Sequence, residues 1–424
     1  MVLSTPIPVD IIMQIVNEVP FNLKYLLLEC STISHAFASA CQRRLFATVE
    51  IGSFRGRERC QQLYGLLKDS PHLASFVRNL TLQNGWNRMP SPSGGGVKVE
   101  WLLVEQTLPP LLDMLPALHS VNLKSSSKPM VWSTLSHDLQ TSFLRVFALP
   151  CLTRIRFSHV TFPAGVLSCC TNVVDLDLYR SSIVDEIDET MSLYQSPTFS
   201  KSAKPSIRRL SVTGPVPPGE LLESVLDITP VQVFNLVDPY DHALAAELTR
   251  CFVSSLKQFV WTIPEVDHFS QTLNLTSFSF SHNLRSVEIR LKDQISSEQL
   301  DPLISALHAL SRLDTGPVSL EEFMISMNYR SGLMPIPWRT LDSILSERSV
   351  FTNLRRARFV FFALPFGSHL ATGLGFVIAR SMPGLRKLGI LSVVDACRSW
   401  PTSPEGWESD ASFVNVSLGQ ESIP

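Results

Sequence analysis

Leu284-Arg285-Ser286-Val287-Glu288-Ile289 puts apolar residues at its first, fourth and sixth positions and polar ones between them. Its last part alternates with period two, the pattern of a strand that buries one face. The same spacing returns at Leu118…Val121…Leu123, Leu152…Ile155…Phe157, Val173…Leu176…Leu178, Ile207…Leu210…Val212, Leu256…Phe259…Trp261, Leu320…Phe323…Ile325, Leu354…Ala357…Phe359 and Leu385…Leu388…Ile390. Weaker copies sit at Val77…Leu80…Leu82 and Val231…Phe234…Leu236. Successive copies lie roughly 20 to 40 residues apart, a period typical of stacked repeats.

One such unit is too short to bury a core of its own, and its strand has two bare edges. Stacking answers both needs, because each neighbour covers an apolar face and pairs an edge. The expected fold class is therefore α/β: a curved parallel sheet with outer helices. Helical spacers are expected at Leu221–Leu226, Ala243–Val253, Leu300–Leu310 and Leu341–Leu345. In the third, Leu300, Leu303, Ile304, Leu307 and Leu310 form one apolar stripe, read as repeat core rather than a cofactor pocket. The phrase resembles the strand segment of leucine-rich repeats, L-x-x-L-x-L, in an irregular form with variable spacers. The resemblance implies a solenoid over residues 77–398.

Residues 1–51 differ in character. Pro8 presets a helix start, and Ile11, Ile12, Ile15, Val16 and Val19 line one helical face that Pro20 stops. Asn22 suits the cap of a second helix through Leu23–Glu29. Ser34 suits the cap of a third, with Phe37, Ala40 and Cys41 on one side, and a strand-like Phe46–Ile51 closes the segment. Three short helices bury little surface, so the following repeats, a partner, or both must complete them.

Ile7-Pro8-Val9-Asp10-Ile11-Ile12-Met13-Gln14-Ile15 resembles the L-P-x-E-[IL]-[IL]-x-x-I opening of an F-box. Cys30-Ser31-Thr32-Ile33-Ser34-His35-Ala36-Phe37, followed by Arg44-Leu45-Phe46, is similar to the second half seen in many fungal F-box proteins. Asp10 stands for the usual Glu, Thr32 for an apolar residue and His35 for a frequent Arg. An F-box followed by leucine-rich repeats implies a substrate receptor. The F-box docks the Skp adaptor of a cullin-based ubiquitin ligase, and the repeats bring in the target protein. Ile7, Pro8, Ile11, Ile12 and Ile15 are the expected adaptor contacts, some of them shared with the small domain's own core. The alternative is a repeat scaffold that joins no ligase; a hydrolase or transferase with its site in the loops is the remaining rival.

Residues 52–76 read as a connecting helix with Leu63, Leu66 and Leu67 at helical spacing and a breaker at Asp69-Ser70-Pro71. Residues 89–96 read as a flexible Gly/Ser/Pro loop; no Gly-Lys-Ser/Thr follows, so it is no phosphate loop. Leu102–Leu115 offers helical material broken at Pro109-Pro110, and residues 181–204 read as a polar loop or short exposed helix. Residues 399–424 read as a flexible tail. The uncharged run Phe359–Ala379 is long enough for a bilayer. Pro365, Gly367, Ser368 and His369 interrupt it, and it parses better as strand, turn and helix.

Lys plus Arg number 36 against 38 Asp plus Glu, a balance that disfavours wholesale nucleic-acid binding. The eight cysteines form no C-x-x-C pair and no zinc spacing, which suits reduced thiols in the cytoplasm or nucleus. The N-terminus does not read as a secretory leader, since Pro6, Pro8 and Asp10 break any apolar run. The glycosylation triplets at Asn79, Asn274 and Asn415 are then chance matches.

No G-x-S-x-G elbow, H-E-x-x-H helix, EF-hand loop or dinucleotide fingerprint occurs, so no catalytic residue, metal or cofactor is expected. Asp238, Asp241 and His242 read as a turn and a helix cap rather than a catalytic knot. With the apolar residues of each phrase facing inward, the alternate residues face the other side of the sheet. That assigns Arg154, Arg156, Asp175, Asp177, Tyr179, Arg209, Gln258, Glu288, Arg290, Glu322, Arg356, Arg358 and Lys387 to a target-binding face. Its basic end, Arg356, Arg358 and Lys387, favours an acidic or phosphorylated partner.

Overall fold

The computed structural model describes residues 7–20, 23–89, 97–126, 128–185, 204–239, 241–263, 283–291, 304, 307–308, 319–329, 337–363, 377–396 and 414–415. It is an α/β protein built on a large parallel sheet. The chain divides into two compact units, residues 1–207 with 221–227 and residues 208–220 with 228–424. The helical segment expected to end as a separate domain at residue 51 belongs to the first unit.

In the first unit, α1 (Val9–Glu18) starts behind Pro8 and stops at Val19, just before Pro20. It packs with α2 (Lys24–Cys30) and α3 (His35–Ala47) around Ile12, Val16, Leu27, Phe37, Ala40 and Cys41. Ser34 caps α3 by accepting from the Phe37 N–H at 3.3 Å. The Arg44 guanidinium donates to the carbonyls of Val16 and Val19, so α3 satisfies the bare end of α1. Leu23, which carries no side-chain cap, precedes α2, and Asn22 lies outside the described residues.

α3 runs straight into β1 (Thr48–Ile51), which pairs in parallel with β2 (Asn79–Asn84). Between them lie α4 (Gly56–Asp69) and a 3-10 turn at Pro71–Phe76. A hairpin follows, β3 (Trp86–Met89) against β4 (Val97–Glu100), and residues 90–96 of the expected loop fall outside the described residues. Next come α5 (Trp101–Val104) and α6 (Leu108–Asp113). Here Pro109-Pro110 begin a helix instead of breaking one, because a first-turn N–H has no partner to lose.

The rest of this unit repeats one theme: a long strand, a turn, a short strand, a helix. The elements are β5 (Ser120–Ser125), β6 (Met130–Val131), α7 (His137–Phe147), β7 (Arg154–Ser158), β8 (Val160–Pro163), α8 (Gly165–Ser168), β9 (Asp175–Tyr179) and β10 (Ser182–Val184). β1, β2, β5, β7 and β9 pair in that order, all parallel, and β6, β8 and β10 make a small parallel sheet beside them. Val49, Leu80, Val121, Ile155 and Leu176 share one row; Ile51, Leu82, Leu123, Phe157 and Leu178 share the next. A periodic phrase thus becomes rows of stacked side chains, as register demands when one face is buried.

The second unit continues with β11 (Arg209–Thr213), α9 (Gly219–Val225, which falls across the division of the chain), β12 (Val233–Val237), α10 (His242–Cys251), β13 (Gln258–Ile263), β14 (Ser286–Leu291), β15 (Glu322–Tyr329), α11 (Trp338–Leu345), β16 (Arg356–Ala363), α12 (Pro383–Lys387), β17 (Leu391–Ala396) and β18 (Val414–Asn415). β11 to β17 pair in parallel, and the row Leu210, Phe234, Phe259, Val287, Phe323, Ala357, Leu391 runs across them. β18, inside the expected tail, pairs antiparallel with β17. The Leu300–Leu310 stripe lies largely outside the described residues.

One repeat strand lies three residues beyond its expected place. Leu385…Leu388…Ile390 is not a strand phrase, and the residues in register with the other rows are Leu391 and Val393. Pro383 starts α12, and Gly389, at φ +69°, follows its end. Asp342 on α11 fixes the helix from outside: its Oδ2 accepts from Gly384 N–H and its Oδ1 from Leu385 N–H, both at 2.8 Å. Among the described residues no helix is long and apolar enough to cross a membrane. Phe359–Phe362 lies in β16, and 364–376 fall outside those residues.

Candidate functional site

Two surfaces were expected to carry function. The first is the outer side of α1. A helical stripe of five apolar residues is wider than the groove left by two short neighbours, so it splits. Ile12 and Val16 are buried, whereas Ile11 and Ile15 each remain 44% exposed. Ile12 is therefore core and not a partner contact, a correction that follows from its packing with Leu27 and Phe37. Ile7, Pro8 and Val9 are exposed beside Ile11 and Ile15. On the following helix and turn, Tyr25, Leu28 and Ile33 are exposed as well. These three, with Val9, were missed as candidates. Their signal was a second helix with more apolar residues than a marginal core can hold.

The second is the polar side of the strands. In the first unit it exists as expected in position, but its charges are already matched. Arg154 pairs with Asp175 at 2.8 Å, and Arg156 with Asp177 at 3.2 Å, each across β7 and β9 in register. The Arg156 guanidinium also lies 5.9 Å from the centre of the Tyr179 ring.

In the second unit the expected face is not an open polar strip. Glu288 is only 3% exposed; its two oxygens accept from Arg290 at 2.6 and 3.1 Å, and Ser326 Oγ donates to it at 3.4 Å. It cannot meet a target, which corrects its assignment. Val260, Val360 and Val394 on the same side are buried too. Strands buried on both sides read as unbroken apolar runs, as Phe359-Val360-Phe361 does. Arg209 and Gln258 stand at the starts of β11 and β13. Arg356 is drawn to Glu322 at 3.6 Å, and Arg358 lies in register with Met324 and Ser392. Lys387 ends α12 and is not on a strand, so the expected basic end is not assembled.

Other titratable groups hold structure together. Glu105 accepts from Thr107 N–H and Oγ1, from Gln61 Nε2 and from Arg57 Nε, tying α4 to the start of α6. Asp241 caps α10 through Ala243 and Leu244 N–H groups at 2.9 and 3.0 Å, as its sequence position predicts. Burial pushes the Cys60 thiol up to about 12, and it pushes Cys169 and Cys170 up as well. Among the described residues no three His, Cys, Asp or Glu side chains gather so as to hold a metal ion.

Fold and surfaces together define an α/β protein with a large parallel sheet, carrying an uncovered apolar helix face at its N-terminal end. A scan against protein-family models and a search of curated proteins found no match to this chain.

Proposed function

We propose that this chain is a substrate receptor of a Skp–cullin–F-box ubiquitin ligase. Its first three helices are the F-box, its parallel strands and helices are an irregular leucine-rich-repeat solenoid, and it is not itself an enzyme. The observation that carries the reading is the split of α1. Ile12 and Val16 complete the domain, while Ile11 and Ile15, one turn apart on the same side of α1, stay outside as an apolar stripe, and Ile7 and Val9 are exposed at the helix start. Such a stripe on a folded helix needs a lid, and an amphipathic groove in an adaptor supplies one. The receptor works by raising the concentration of target near the ligase, with no bond made by its own side chains.

Affinity capture of the full-length protein tests this. The Skp adaptor is expected in the captured material, and Ile11→Asp with Ile15→Asp is expected to remove it without lowering the melting temperature. Capture without the adaptor, or capture untouched by the double substitution, overturns the reading.

A further inference from the structure

We propose that the open edge of β1 is a seam between two copies of this chain, joined by antiparallel pairing of β1 with β1 about a two-fold axis at Val49. The seam lies in the first unit and does not rest on the ligase reading. β1 stands at the end of its sheet, with β2 on one side and no strand on the other among the described residues. The Arg78 N–H donates to the Ala47 carbonyl at 3.0 Å. Main-chain direction alternates along a strand, so Val49 and Ile51 also turn theirs to β2, while Thr48 and Glu50 turn theirs outward. Among the described residues nothing hydrogen-bonds to the Glu50 N–H or to the carbonyls of Thr48 and Glu50. A bare row of this kind is a template for a further strand.

Two apolar side chains mark the same edge. Val49 ends a row in which Leu80, Val121, Ile155 and Leu176 are all buried, yet Val49 itself is half-buried. Phe54, three residues beyond the end of β1, is 73% exposed, more than any other large apolar side chain among the described residues. Neither belongs to the apolar side of α1. A two-residue antiparallel strand is enough to close an edge in this chain, as β18 does on β17.

The register identifies the occupant as a second copy. With the axis at Val49, the outward groups of Glu50 face those of Thr48 in the other copy. The Glu50 N–H of each then donates to the Thr48 carbonyl of the other. Val49 meets Val49 in the closely spaced, non-hydrogen-bonded position, so the apolar row runs on through both copies. No carboxylate opposes another. Thr48 Oγ1 already accepts from Asn79 Nδ2 at 3.2 Å, which leaves its own O–H to donate to the facing Glu50 carboxylate. The strand direction also carries each Phe54 toward the end of α3 in the other copy. The same patch thus serves both partners, as a two-fold interface requires.

The test is light scattering of the full-length protein up to roughly 100 µM, since so short a seam makes a weak dimer. A mass rising with concentration toward twice 47.3 kDa is expected. Glu50→Pro removes an outward N–H and no bond to β2, so it is expected to weaken dimerisation about tenfold or more. Its melting temperature should match the natural chain's at a dilution where both are monomers. Val49→Cys is expected to crosslink the dimer under mild oxidation well beyond the natural chain, and Glu50→Cys is not, because only position 49 meets itself. A mass that stays at one chain overturns the proposal, as does a dimer insensitive to Glu50→Pro or crosslinking that is equal at 49 and 50. A dimer dispersed by Ile11→Asp with Ile15→Asp also overturns it, placing the seam on α1. Adaptor capture from the same preparation reports on the ligase reading separately.

Discussion

Truncating Ile12 to alanine removes a side chain packed against Leu27 and Phe37, and about 2–4 kcal/mol of stability should go with it. The same change at Ile11, one residue away but outside, should stay within about 0.5 kcal/mol. Urea unfolding of the two variants measures the difference directly. Asp342→Ala takes two charge-assisted acceptors from the start of α12 and should cost about 2 kcal/mol, read the same way. Arg180→Gly should be neutral or gain up to about 1 kcal/mol, since the residue leaves an unfavourable backbone region. Cys60 remains a thiol in the folded chain up to about pH 12, whereas the unfolded chain ionises it near pH 9. Its contribution is therefore intact below pH 9 and declines as pH rises from there to about 12. At neutral pH iodoacetamide should label Cys60 only after denaturant is added.

Elements explain what could be read from the chain beforehand and what could not. A strand that buries one side of a sheet must repeat with period two, so ten of the eleven phrases coincide with paired strands, in common register within each unit. The capping serine at 34 and the capping aspartate at 241 are local signals and were equally legible. The Leu385 phrase was not, because the helix that displaces it is held by Asp342, 43 residues earlier for the Leu385 contact. Burial of Glu288 was hidden for a related reason: alternation shows which side of a strand a residue takes, not whether that side is open. Tight inter-element contacts are likewise invisible in sequence. A Cβ on Gly56 would sit 2.5 Å from the Trp101 ring, and one on Gly85 2.3 Å from Ser53 Cβ. Alanine at either position should cost about 1–3 kcal/mol in thermal unfolding, through forced displacement of those neighbours.

At the scale of the whole molecule, the division of the chain is not a simple cut. Leu222 and Leu226, both fully buried, belong to the first unit although residues 208–220 of the second precede them. Backbone bonds from Ile207 N–H to the Asp227 carbonyl and from Asp227 N–H to the Pro205 carbonyl, at 3.0 and 2.8 Å, close that return. A fragment of residues 1–227 should therefore melt cooperatively and above a fragment of residues 1–207. The two leucines alone contribute about 1.5–3 kcal/mol each on burial. Calorimetry of the two fragments checks the order. Finally, Ala47 ends α3 and Thr48 begins β1 with no residue spared between them. A tether would let a body seated on the first helix swing through many positions; a welded joint gives it one bearing. Anything gripped along β5, β7 and β9 is then presented at a set distance and angle to whatever sits on α1, like work clamped before a fixed tool.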